Sequence, residues 1–294
     1  MPRPARTVSA NLAGIVTFAA SLFLISTSDM LAKRLTGEIH PVQVVWMRQS
    51  GLVLVALALL ATRGAGLLRA AAPGLQLMRG FAATLSALAF IAALRFVPLA
   101  DAVAVSFVAP FMVAVLGAVF LRETVSGPRW AAIVGGFLGA IVIIRPGPGM
   151  ADPAILLVVA GAFFLALRQV LGRPLAARAT VATTLVWTAM AGFVPLTLLM
   201  PLVWRWPTPE IWLIGAAIAG LIAAAEALLI RAFATAEATA IAPVLYTAMI
   251  WATGWGWLVF GQLPDLWTWI GTAVILATGL ALIRLEMRQA PPSG

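Results

Sequence analysis

Glu226 stands inside a long apolar run, roughly a turn and a half from the run's second end. Carboxylates in lipid-buried sequence are rare and mark proton or substrate paths, so Glu226 is a substrate-binding candidate and the candidate for proton coupling. The plainer reading pairs it with an arginine such as Arg79 or Arg231. Asp29 and Lys33 are four apart, acid first, and so share one helix face. They read as an ion pair at a helix end, or as a gate with Asp29 touching a substrate amine. Arg48 falls about two turns into the next apolar run, where it must snorkel, face water or find an acid, and Asp29 is the expected partner. Asp101 and Glu237 open apolar segments at matching places; each either stabilises a helix N-terminus or serves as one of two related gates. Glu123 reads as holding a loop against Arg122 or Arg129.

Uncharged groups complete the set. Tyr246 is the only tyrosine, and its hydroxyl needs a partner at mid-segment, which directs it toward a cavity or another helix. Trp251 and Trp255 follow at one-turn spacing and, with Trp187 in the seventh run, are the candidate cavity walls, Trp251 being the one expected to bind substrate. Ser86 and Ser106, with Ser26 and Ser28, have hydroxyls suited to orienting a zwitterion, although each can also bond its own helix carbonyls.

Other chemistry is excluded by what the chain lacks. It has no cysteine, one histidine (His40, beside Pro41) and one lysine that follows no glycine-rich loop. Thiolate and histidine metal sites, a Ser/His pair and a self-contained phosphate loop are therefore ruled out, and no cofactor is expected. A net charge of +9 would point to nucleic acid in a soluble protein, but here the basic residues sit singly between apolar runs, as they do on membrane flanks. No nucleic-acid partner is expected.

The elements that must position these residues follow from hydropathy. The chain is 294 residues long, 63% hydrophobic, with a mean hydropathy of +1.05, which excludes a water-soluble fold. A span takes roughly 20 apolar residues, and breaking the sequence at Pro, Gly and charge clusters predicts ten. They lie near 11–31, 41–61, 75–94, 100–121, 129–144, 153–171, 180–202, 210–232, 237–260 and 266–283. Alternating patterning is absent, so the expected class is an all-α integral membrane protein rather than a barrel. The first run, although preceded by Arg3 and Arg6, is long and reads as a retained helix rather than a signal peptide. With both termini placed inside, the inner side receives 13 basic residues and the outer side 5, which predicts a multi-pass protein of a bacterial-type inner membrane with cytoplasmic termini.

The halves resemble each other. Residues 94–104 match 230–240 in their Arg, Ala and acidic positions; Trp46 and Gly51 have the spacing of Trp187 and Gly192, and Glu123 and Trp130 that of Gln262 and Trp269. Five helices in each of two units, 1–150 and 151–294, force the second unit to insert upside down. Inverted repeats of this kind build secondary transporters, with the substrate near the midplane.

These residues resemble the drug/metabolite transporter superfamily, and within it the ten-helix metabolite and amino-acid exporters (EamA-like). The landmarks are Asp29 with Lys33, Pro41 and Arg48; Met78, Arg79 and Gly80; the stretch 93–102; Pro110; and 120–123. A shorter version recurs at 242–247 and 260–262. Two departures are Gln262, where the family commonly has Glu, and Pro243, which lies earlier than the proline matching Pro110. The resemblance implies a cavity lined by helices one, three, four, six, eight and nine, and export.

The expected function is therefore not enzymatic: export of small amphipathic metabolites, amino acids first, by alternating access. Alternatives are a multidrug or polyamine exporter, a nucleoside or other metabolite carrier and, in different classes, an intramembrane transferase, a channel or a scaffold. Partners would be a small-molecule substrate and lipid, in a monomer or weak dimer. Gly135 and Gly139 have the small-residue spacing that lets helices approach closely, within the monomer or across a dimer.

Overall fold

The computed structural model describes residues 8–122, 124–146, 152–236 and 238–289. Glu123 and Glu237 lie outside the described residues. Every described regular element is helical: α1 (Val8–Leu35), α2 (Pro41–Arg63), α3 (Pro73–Leu94), α4 (Leu99–Ser106), α5 (Ala109–Phe120), α6 (Gly127–Ile144), α7 (Ile155–Ala176), α8 (Val181–Val203), α9 (Pro209–Thr235), α10 (Ala238–Ile241), α11 (Ala248–Phe260) and α12 (Leu266–Gln289), with 3₁₀ turns at Ala65–Leu68 and Ala242–Thr247. Helix starts follow local chemistry. Pro41, Pro73 and Pro209 occupy first positions, where a missing N–H costs nothing, and the Thr180 and Thr208 hydroxyls accept from the amides of Thr183 and Ile211.

Among the described residues, nine segments are long and apolar enough to cross a membrane, with 99–120 counted as one. The tenth crossing is α10, its 3₁₀ turn and α11. This corrects two continuous helices to broken ones. The fourth breaks at Phe107 and Val108, just before Pro110, and the ninth runs as 3₁₀ from Ala242 to Thr247 around Pro243. In both, proline removes a backbone donor and crowds the preceding turn.

The helices close into a ring. Around it α1 packs on α9, α9 on α2, α2 on α8, α8 on α3, α3 on α7 and α7 on α4 and α5; α6 and α12 follow, and α11 returns to α1. Exchanging the halves, each first-unit helix for its second-unit counterpart, maps this order onto itself: α1 on α9 becomes α7 on α3, and α2 on α9 becomes α8 on α3. That self-mapping is what an inverted repeat requires. The matched glycines obey it too. A Cβ on Gly51 of α2 would overlap Ala219 of α9, and one on Gly192 of α8 would overlap Thr84 of α3 and Gln49 of α2. Gly139 meets Gly271 and Ile275, and Gly135 meets Thr278, so the glycine face of α6 packs against α12 within the chain.

Candidate functional site: a ring with one sealed end

The ring's two ends differ. At the end holding Lys33, the broken helices meet, α4 against α11, whereas beyond the breaks α5 turns toward α7 and α6, and the 3₁₀ turn packs on α1. At the crossing Phe107 meets Tyr246 edge-on with ring centroids 5.2 Å apart.

Polar bonds tie the Lys33 end together. Lys33 reaches across the ring to donate to the carbonyls of Leu94 (2.8 Å) and Val97 (2.6 Å), with its Nζ 5.4 Å from the centre of the Phe260 ring. Asp29 pairs with Arg48 instead of Lys33, both largely buried, which corrects the Asp29–Lys33 pair and bears out Asp29 as the partner of the intramembrane guanidinium. Arg145 binds Asp265 at 2.8 Å, and Arg34 pairs with Glu210 at the surface. The Gln43 side chain both donates to the carbonyl of Arg205 (2.8 Å) and accepts from its amide (3.1 Å), fastening α2 to the loop after α8. Asp101 sits in the first turn of α4, beside the Thr268 hydroxyl and in the field of Asp265, Arg145 and Lys33, with its Oδ1 buried. In the loop, burial would raise the Asp265 carboxyl, but the Thr268 amide bond and the charge of Arg145 outweigh it and hold Asp265 below the usual carboxylate range.

The serines expected to orient substrate have protein partners. Ser86 donates to the Gly161 carbonyl on α7 (2.8 Å), and Ser106 to the Ala102 carbonyl in its own helix (2.8 Å). Ser26 and Ser28 are buried, and their hydroxyls lack hydrogen-bond partners among the described residues. Tyr246 points at Gly279, where a Cβ would collide with its hydroxyl. Trp251 meets Phe23 edge-on at 5.1 Å, joining α11 to α1.

At the opposite end, Arg79 donates to Thr188 of α8 (2.8 Å) and Gln76 donates to Thr184 (3.2 Å), forming two polar rungs between α3 and α8. Arg79 also feels the charges of Arg168 and Glu226. Sequence reasoning offered Arg79 as a possible partner of Glu226 but missed Arg168, whose place next to Arg79 depends on which face of α7 meets α3. Gln43 was missed for a similar reason: its partner is 162 residues away.

One family model, that of the EamA-like transporter family, matches the chain twice, over residues 12–145 and again over 152–285. The chain belongs to the EamA-like transporter family. This EamA-like protein is thus a multi-pass membrane transporter of small molecules and not an enzyme. It is similar to the S-adenosylmethionine uptake transporter of Rickettsia conorii (26% identical, covering 94% of each chain). It is also similar to the pseudopaline exporter CntI of Pseudomonas aeruginosa (28%, covering 93% of this chain and 96% of the exporter). The riboflavin transporter of Rhizobium johnstonii is 31% identical over 80% of this chain and 78% of its own. Their named substrates and directions differ, so the family fixes the class of activity and leaves the cargo to the chain's own residues.

Proposed function

We propose that this EamA-like transporter exports small amphipathic metabolites, amino acids foremost, from the cytoplasm by alternating access. Residues 1–150 and 151–294 are the units that rock, and the state described is open toward the cytoplasm. One observation supports this reading: a ring with inverted-repeat packing is tied between its halves at the Lys33 end by Arg145–Asp265 and Gln43–Arg205, while toward the Arg79 end α5 and the 3₁₀ turn pack on different neighbours, an asymmetry expected of one half-cycle of a carrier. The basic residues favour placing the Arg79 end and both termini in the cytoplasm of a bacterial inner membrane.

Within the ring, apolar walls that include Tyr246 and Trp251 tolerate varied side chains, while a few polar groups hold shared ones. Asp29, Lys33, Arg48 and Asp101 belong to the seal that must open for release. Ser86 and Ser106 are positioned to contact cargo only if they exchange their carbonyl partners. Glu226 has no ion pair or hydrogen bond among the described residues, which also favours a second reading, a cation or polyamine exporter with Glu226 as a proton-exchanging site.

Counterflow in proteoliposomes separates the readings. Vesicles preloaded with unlabelled amino acid should accumulate the labelled compound with this protein and not with empty vesicles. Accumulation of polyamines alone would overturn the amino-acid reading, and accumulation of neither amino acids nor other metabolites would overturn the carrier reading.

A further inference from the structure

Arg79, Arg168 and Glu226 occupy one level of the ring. Arg79 lies 6 residues past the first residue of α3, Arg168 lies 8 before the last of α7, and Glu226 lies 9 before the last of α9. At 1.5 Å per residue, all three are about 9–14 Å in from the Arg79 end. Gly172 is one turn from Arg168 on the same face of α7, and a Cβ there would sit 3.4 Å from Nε of Arg79. The two arginines therefore occupy adjoining positions on one wall. Glu226 stands on α9, which packs on α1 and α2, while α3 packs chiefly on α7 and α8, so the carboxylate whose charge Arg79 feels belongs to a different wall of the ring.

Charge and hydrogen-bond capacity leave this site incomplete. A guanidinium carries five donors, and among the described residues Arg79 forms one bond, to Thr188. Two cations face one anion at membrane depth, where an uncompensated charge is costly. A carboxylate is the ligand group that matches a guanidinium fork, and an ammonium is what the facing carboxylate lacks.

We infer that Arg79 and Arg168 on one wall and Glu226 on the other form a two-sided site for a zwitterionic metabolite, the arginines taking its carboxylate and Glu226 its ammonium. This deepens the proposed function and rests on it. Because the cations outnumber the acid, the carboxylate is the obligatory half and the ammonium the selecting half. Arg168 is the residue that separates this site from a simple Arg79–Glu226 contact.

The test uses the full-length protein in proteoliposomes with four counterflow probes: phenylalanine, hydrocinnamate (no amine), phenethylamine (no carboxylate) and riboflavin (no such pair). Wild type should carry phenylalanine best, hydrocinnamate about tenfold less well, as expected for losing one charge-assisted bond, and phenethylamine not at all. Arg168→Gln should lower phenylalanine and hydrocinnamate together by about tenfold or more, with Arg168→Lys recovering part. Glu226→Gln should bring phenylalanine down to the hydrocinnamate level and leave hydrocinnamate unchanged, with Glu226→Asp keeping the preference. Unfolding midpoints in detergent establish that each variant is folded, and the Lys and Asp variants serve where the Gln variants are not. Equal loss of phenylalanine and hydrocinnamate in Glu226→Gln would mark the cluster as a gate or a structural tie and overturn the inference. So would wild type carrying phenethylamine as well as phenylalanine. Carriage of riboflavin alone overturns this inference and the amino-acid assignment but leaves the carrier standing; carriage of no probe fells both.

Discussion

The Lys33 end and the Arg79 end of the ring spend their charged residues differently. At the Lys33 end nearly every charge is answered: Asp29 by Arg48, Lys33 by two carbonyls, Arg145 by Asp265, and Arg34 by Glu210. At the Arg79 end, Arg79 has one threonine and Glu226 has no bonded partner among the described residues. Satisfied charges hold a conformation, whereas unsatisfied ones wait for cargo. Substitutions at the first end should therefore change stability and the balance of conformations, and those at the second should change what is carried.

The largest expected effect comes from Arg48→Ala. It leaves Asp29 buried without its cation, a loss of about 3–5 kcal/mol. The unfolding midpoint in detergent should fall far more than for Glu226→Gln, and Arg48→Met with Asp29→Leu should recover a large share. Equal destabilisation by Arg48→Ala and Glu226→Gln would break the contrast between the ends.

Lys33→Ala comes next. It removes two charge-assisted bonds that hold α1 to the α3–α4 turn within the first unit, each worth roughly 1.5–3 kcal/mol, so local opening between α1 and α4 at that end should rise tenfold or more. The chain has no native cysteine, so a single cysteine at Ser106 can report this cleanly. Its labelling from the Lys33 side should rise in the variant and stay unchanged in Arg34→Ala, whose pair is exposed at the surface.

Much of this was legible in the sequence, and the rest was hidden for definable reasons. Ten apolar runs gave ten crossings, and a guanidinium at depth announced its acid, because the cost of burying Arg48 alone leaves few solutions. Lys33 was assigned to Asp29 on helix spacing, but spacing cannot compete with backbone carbonyls that no sequence displays. Pro110 and Pro243 were visible, yet hydropathy runs unbroken across both, so the interruption of the helices was not. Residues 107–108 and 242–247 show that a membrane tolerates such breaks where neighbouring helices enclose them. Arg168 gave no signal, since its meaning lies in the register of α7 against α3.

A smaller effect is expected from Gly51→Val. The new side chain would push α2 away from the Ala219 carbonyl of α9, an overpacking loss of about 1–3 kcal/mol. Gly220→Ala, where a Cβ meets open space, should leave the midpoint unchanged. The smallest effect is one of pH. Asp265 has its carboxyl held below the ordinary value of 3.8, so its tie to Arg145 contributes fully above that value and is lost as pH falls through the lowered one. Weakening through the Asp265–Arg145 tie should thus appear only below about pH 4 and vanish in Asp265→Asn, measured as the pH dependence of the unfolding midpoint in detergent.

Spin labels on two cysteine pairs test the central claim most directly. One pair, at Glu38 and Leu263, spans the halves at the Lys33 end, and the other, at Thr124 and Ala177, spans them at the Arg79 end. On adding a transported amino acid, the account predicts that the first distance distribution gains a longer component as the second gains a shorter one. Both distances holding still, or moving in the same sense, would contradict rocking of two inverted halves about a central site.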